Sequence, residues 1–384
     1  MSKILCVLYP DPITGYPPNY SRNDLPVITH YPDGQTTPSP KALDFKPGEL
    51  LGCVSGALGL RPYLESSGHE FIVTSDKEGA DSEFAKHLTD ADIVISQPFW
   101  PAYLTKENMK TATKLKLVIT AGIGSDHTDL KAANDFDITV AEVTYSNSIS
   151  VAEHEVMMIL ALVRNYLPSH EWVVQGGWNI ADCSMRAYDL EGMQVGTVAA
   201  GRIGQGVLKR LKPFDVKLHY TDKHRLPLNV ETELGVKFHE SVEEMVKVCD
   251  VVTLNCPLHP ETENMFDKKL IAQMKRGSYL INCARGKLVN RDAIVEALET
   301  GHIAGYAGDV WFPQPAPSNH PWRNMPYQGM TPHTAGTSIS AQARYSAGVR
   351  VILECWFNNQ PIRNEYLITK SGKLAGVGAR SYSA

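Results

Sequence analysis

Two successive series of short apolar strands alternating with amphipathic helices predict an α/β protein. The expected architecture is two domains, each built of parallel βαβ units. Two further observations point the same way. A Gly-containing turn around residues 199–204 leads from a strand into a helix and is followed by a strand that ends in Asp222. The chain has 384 residues, 43% hydrophobic and 21% charged, an ordinary soluble composition with room for two or three domains. Disordered, collagenous and disulfide-stapled chains are excluded.

The first strand is Ile4–Tyr9, stopped by Pro10. A segment from Pro10 to Pro47 follows with nine prolines and turn signals at Asp33-Gly34 and Ser39-Pro40. It reads as a long ordered arm or as an insertion without fixed structure. The first alternation comes next, with a helix near Gly56–Ser66, strand Glu70–Ser75, helix Ser82–Leu88, strand Asp92–Ser96, helix Lys106–Thr113 and strand Leu115–Thr120. A long helical pattern then runs from about Val151 through Val174, with Val156, Ile159, Leu160, Val163 and Leu167 at helical spacing. Ser150 and Glu153 have the spacing of a capping box at its start, just after Asn147-Ser148. That helix N-terminus favours a nearby anion; an ordinary cap explains it equally well. The second alternation begins at Met193–Ala199 and continues through Lys217–Tyr220, Val251–Asn255, Tyr279–Asn282 and Ala304–Asp309, and a last helix spans about Ser340–Phe357.

Charge narrows the class of partner. There are 37 Lys and Arg against 42 Asp and Glu, a formal net charge of −5, with no block of like charge, so nucleic acid and anionic lipid are not expected partners. The seven cysteines are scattered without a CxxC pair, which indicates neither a disulfide framework nor a zinc site and fits a reducing cytoplasm. The first apolar run is too short for a signal-peptide core, and no apolar run is long enough to span a membrane.

The turn Val198-Ala199-Ala200-Gly201-Arg202-Ile203-Gly204 has Ala199 where the usual dinucleotide fingerprint has its first glycine. Gly201 would let a pyrophosphate approach the backbone, Gly204 would let helix and strand pack closely, and the helix N-terminus supplies N–H donors. Asp222 stands where a carboxylate takes both hydroxyls of an adenosine ribose. It favours NAD over NADP, although Lys223, His224 and Arg225 follow and offer a 2′-phosphate some positive charge.

Several longer stretches add to this. Ile119-Thr-Ala-Gly-Ile-Gly-Ser-Asp126, Thr144-Tyr-Ser-Asn147-Ser-Ile-Ser-Val-Ala-Glu-His154, Asn282-Cys-Ala-Arg285-Gly-Lys287, Gly308-Asp309-Val-Trp-Phe-Pro-Gln314-Pro-Ala-Pro317 and Thr331-Pro-His333 are present, with a C-terminal Gly-Ala-Arg-Ser-Tyr-Ser run. With these pieces the chain resembles, over nearly its whole length, the bacterial NAD-dependent formate dehydrogenases, metal-free members of the D-2-hydroxyacid dehydrogenase superfamily.

The resemblance implies a division of labour. Arg285, at the carboxyl end of a strand, presents a planar fork to a small carboxylate, and a structural ion pair is the alternative. Asn147 and the backbone N–H of Ile123 complete the grip on formate, and Pro98 and Phe99 form a dry wall or pack in the core. Ser148, Ala199, Gly201, Arg202, Ile203, Gly204, Asp222, Asn255, Cys256, Pro257, His259, Cys283, Asp309, His333, Gly336 and Ser381 are the cofactor contacts, with Asp309 on the carboxamide. Cys256 is either an inert core thiol or an oxidation-sensitive one. In the hydroxyacid relatives the histidine at His333 pairs with a glutamate, and here the matching residue is Gln314, which orients an imidazole without stabilising its cation. Ala335 and Cys283 depart from the hydroxyl residues expected at their positions. The resemblance further implies two doubly wound parallel-sheet domains, Rossmann-like and flavodoxin-like, with an active-site cleft between them, residues 148–333 being the NAD-binding domain inserted into a catalytic domain of 1–147 plus 334–384. It also implies a homodimer seated on the helix near Val151. The competing readings are a D-2-hydroxyacid dehydrogenase or glyoxylate reductase, and a non-catalytic NADH-binding protein.

Overall fold

The computed structural model describes residues 1–10, 53–56, 58–377, 379 and 382. The proline-rich arm beyond Pro10 and Ser381 lie outside the described residues. Fourteen strands are assigned among those described: β1 Lys3–Val7, β2 Glu70–Thr74, β3 Ile93–Ser96, β4 Leu117–Thr120, β5 Thr139–Glu142, β6 Gln194–Val198, β7 Lys217–Thr221, β8 Val236–Phe238, β9 Val251–Leu254, β10 Ser278–Asn282, β11 Ile303–Gly308, β12 Gln328–Met330, β13 Leu367–Lys370 and β14 Lys373–Leu374. The chain divides into two compact units, Met1–Asn147 with Thr337–Ala384, and Ser148–Gly336.

The first unit holds a sheet of order β14-β13-β5-β4-β3-β1-β2. Its five parallel strands follow the flavodoxin-like order, and β13 joins antiparallel to β5 as an edge. Both faces of this sheet are covered, so its strands are apolar at successive positions rather than alternating with polar ones. Ile4, Cys6, Ile93, Ile95, Leu117 and Ile119 face one apolar cluster, and Leu5, Val7, Val94 and Val118 face the other.

The second unit holds a sheet of order β12-β11-β10-β9-β6-β7-β8, all of it parallel. Counted from β6, this is the Rossmann order, whose direction reverses between β6 and β9. Ligands of such sheets bind at the carboxyl ends of the strands at that reversal. Val252, Leu254 and Leu280 face one side, and Val195, Val251, Tyr279 and Ile281 face the other.

The long helix differs from its expected form. It begins at Ser148, so Ser150 is a buried residue of its first turn rather than a cap, and Glu153 instead pairs with Arg210 at 3.0 Å. It also ends at Val163. Asn165 adopts a left-handed φ of 52°, and a second helix covers Tyr166–Val174. Pro168 accounts for the break, since it has no N–H to return to the carbonyl of Arg164. That second helix buries none of its residues.

Candidate active site

In the Ser148–Gly336 unit, β6 runs into the turn at Ala199, whose φ is 72°, a conformation that glycine adopts without the Cβ penalty. Gly204 permits the turn, because a Cβ there would come 2.3 Å from the Ala199 carbonyl oxygen. Gly201 is different: an added Cβ would meet no protein atom within 4 Å. Protein packing does not require a glycine at Gly201, and the open space beside the N-terminus of the helix Arg202–Leu211 fits a pyrophosphate. Arg202 opens that helix, and Ile203 packs on the apolar cluster behind it. Asp222 follows β7 and is fixed by two backbone donors, Ala200 N at 2.8 Å and His224 N at 2.8 Å. This holds a carboxylate beside the turn, as ribose recognition requires.

At the end of β9, the Asn255 backbone N–H donates to Val198 O at 2.9 Å, tying the two central strands together. Its side-chain Nδ2 donates to Thr197 Oγ1 at 3.0 Å and to Glu155 Oε2 at 3.1 Å. The next turn is closed by Thr262, whose hydroxyl donates to Pro257 O at 2.8 Å and accepts from His259 N at 2.8 Å. Cys256 is buried and its thiol is pushed up to about 12 by burial, which disfavours the thiolate. Cys283 is also buried; burial, with Glu155 and Asp309 nearby, raises its thiol well above the usual range. Ser148 Oγ is buried without a protein hydrogen-bond partner.

Arg285 follows β10. The Asn282 side chain braces its turn by accepting from Ala284 N at 3.1 Å and donating to Arg285 O at 2.9 Å. A Cβ on Gly286 would come 2.6 Å from the Trp311 carbonyl carbon, so the Arg285 loop lies directly on the segment leading to Gln314. Gln314 in turn contacts His333 Nδ1, with Nε2 at 2.7 Å and Oε1 at 2.9 Å. Arg285, Gln314 and His333 therefore stand on adjoining loops. His333 has a φ of 62°. Its turn is pinned by the fully buried Asp309, which accepts from Thr331 Oγ1 at 2.6 Å, Thr334 N at 2.7 Å and Ala335 N at 2.7 Å. Ala335 thus serves through its backbone, and Gly336 ends the unit.

In the other unit, the ends of β3 and β4 meet. Pro98 packs on Gly122, where a Cβ would lie 3.1 Å from the proline ring. Phe99 belongs to the apolar core, with its ring centroid 5.7 Å from that of Tyr9. Ile123 lies between Gly122 and Gly124, with φ of 144° and 108°. Asn147 ends the turn after β5, and its Oδ1 is buried without a protein hydrogen-bond partner.

Sequence reasoning missed three features. Gln97, directly before Pro98, is fully buried with neither end of its carboxamide paired. Tyr382 accepts from Ser125 N at 2.5 Å and donates to Glu142 at 2.7 Å, bracing the Ile123 loop from a distant part of the chain. Glu155 is fully buried. Only Glu155 left a signal, a carboxylate at helical spacing between the apolar Ala152 and Ile159.

Residues 156–335 match the model of the D-isomer specific 2-hydroxyacid dehydrogenase, NAD binding domain. The chain is 68% identical over 383 residues to the formate dehydrogenase of Pseudomonas sp. (strain 101), covering 100% of this chain and 96% of that one. A Granulicella m. formate dehydrogenase structure is 68% identical with a TM-score of 0.87, covering 98% of this chain and 100% of that one. The NAD complex of the Staphylococcus aureus NAD-dependent formate dehydrogenase is 42% identical with a TM-score of 0.78, covering 96% and 99%. The chain belongs to the formate dehydrogenase family and carries the NAD-binding domain of the D-isomer specific 2-hydroxyacid dehydrogenases.

Proposed function

We propose that this protein oxidises formate to carbon dioxide with NAD+ as the acceptor, without a metal and without an acid–base step. The observation that carries this reading is Gln314 against His333. A hydroxyacid must lose an O–H proton, so its oxidation calls for an imidazole backed by a carboxylate. Formate is already an anion and has no such proton, and a neutral amide suffices. When bound, NAD+ supplies the acceptor for the formate hydride.

The residues of the chain bind, orient and keep water out. Arg285 takes the formate carboxylate with its planar fork, and Asn147 and the Ile123 N–H hold the remaining lone pairs. Their task is geometry, because the carboxylate loses its charge as it becomes carbon dioxide; a tighter grip on the anion alone would slow the step. His333, held by Gln314, orients the substrate. Pro98 and the buried Phe99 limit water. The turn 199–204 and Asp222 bind the dinucleotide, and Ser148, Asn255, Pro257, His259 and Gly336 line its path. Asp309 reaches the carboxamide with the acceptor capacity left by its three protein bonds. NADH formation from formate, with lactate and glycerate as alternatives, tests the assignment.

We further propose a homodimer. Next to the long helix the unit exposes Met157, Trp172, Val173, Val174, Ile180 and Met185, and Trp178 is 83% exposed. So many large apolar side chains exposed within about thirty residues are costly in water and are covered economically by a second copy. Sedimentation at the mass of one chain would contradict it. Among the described residues no helix is long and apolar enough to cross a membrane, and all seven cysteines are free, which supports residence in a reducing cytoplasm.

A further inference from the structure

We propose that Glu155 is a positioning residue of the cofactor site, a buried carboxyl group that fixes the Asn255 carboxamide so that its oxygen is left for a cofactor hydroxyl. The inference rests on the dinucleotide reading above. Thr197 Oγ1 donates its single proton to Ala199 O at 3.0 Å, so toward Asn255 it can only accept. One N–H of Asn255 Nδ2 is thereby committed to Thr197, and the other goes to Glu155 Oε2. Turning the amide over would set its oxygen against the Thr197 oxygen. With both donors directed inward, Oδ1 remains as the acceptor at the carboxyl end of β9, beside the reversal of strand order.

Packing does not call for an acid at this position. Glu155 lies on the helix face that buries Ala152 and Ile159, and its Oε1 has no hydrogen-bond partner. Burial raises its pKa to about 8, so it is uncharged at neutral pH. A buried ionisable group with an unpaired oxygen destabilises a fold, and such groups gather at functional sites. The groups around it are Thr253 and Asn255 of the β9 end, Thr197 of β6 and the Cys283 thiol after β10. On its own helix, Glu153 is paired with Arg210, and His154 contacts Thr331 at 3.1 Å and feels the charge of Asp309.

The test compares Glu155→Val and Glu155→Gln with the parent by NAD+ binding calorimetry from pH 7 to 9 and by KM for NAD+ and formate. Glu155→Val leaves two donors, Asn255 Nδ2 and Thr253 Oγ1, without their acceptor and is expected to weaken NAD+ binding about tenfold, with KM for formate within about twofold. Glu155→Gln keeps an acceptor for Asn255 and is expected within about threefold of the parent at pH 7. The parent should lose NAD+ affinity as pH passes about 8, because the pyrophosphate-bearing cofactor would then bind near a newly formed buried anion, and Glu155→Gln should not. Parental affinity in Glu155→Val, or the same alkaline loss in Glu155→Gln, would overturn the inference. A parent that binds NAD+ but forms no NADH from formate would instead overturn the formate reading, and calorimetry would still judge Glu155.

Discussion

The Gln314 amide lies against His333 Nδ1, 2.7 Å from Nε2 and 2.9 Å from Oε1, so a neutral group orients the His333 imidazole. The amide can serve either tautomer, Nε2 donating to a bare Nδ1 or Oε1 accepting from Nδ1–H, which holds the ring without adding a negative charge to stabilise the imidazolium. The neighbourhood of the substrate anion thus gains no negative charge from this partner.

Gln314→Glu therefore tests the chemistry. A carboxylate there stabilises imidazolium and repels formate. We expect kcat/KM for formate to fall at least about tenfold, equivalent to about 1.4 kcal/mol, with slow glyoxylate reduction gained. Unchanged steady-state kinetics with formate would refute the charge argument.

Gly201 and Gly204 sit in one turn but serve different masters. A Cβ at Gly201 meets no protein atom, whereas at Gly204 it would strike the Ala199 carbonyl oxygen at 2.3 Å. Gly201→Ala should leave the melting temperature of the cofactor-free protein within about 2 °C of the parent while raising KM for NAD+ more than about tenfold. Gly204→Ala should lower the melting temperature itself. Loss of stability in Gly201→Ala without loss of NAD+ affinity would show that the open space serves the fold rather than the cofactor.

Much of this was legible because the relevant signals are local. Strand periodicity, the turn at Ala199–Gly204 and the acid at Asp222 lie within a few dozen residues, and the alternation of strands with helices marks parallel crossovers. The break at Asn165 leaves little trace in the sequence because apolar spacing continues through it to Leu167, and only Pro168 marks the interruption. Short edge strands such as β8 and β12 pair three residues each and leave almost no pattern. The bracing of Ser125 by Tyr382 and the orphaned carboxamide of Gln97 depend on tertiary proximity, which spacing cannot express.

His219 and His239 form a buried pair, Nδ1 to Nε2 at 2.9 Å, that limits stability in acid. Burial and the neighbouring His239 lower the pKa of His219 to about 4, and burial lowers that of His239. An unfolded histidine titrates near 6.5, so below that pH the unfolded chain takes up more protons. Stability contributed by the neutral pair is complete above about 6.5 and is lost as pH falls toward 4. His219→Gln should flatten the fall in urea midpoint across that window, and an acid limb as steep as the parent's would assign the loss to other groups.

The most direct measurement is NADH formation from formate and NAD+ in chelator-treated buffer, with lactate and glycerate in parallel. We predict NADH from formate alone, undiminished by the chelator. Turnover of lactate or glycerate with none of formate would contradict it, and would mean that an imidazole oriented by Gln314 can take a hydroxyl proton after all.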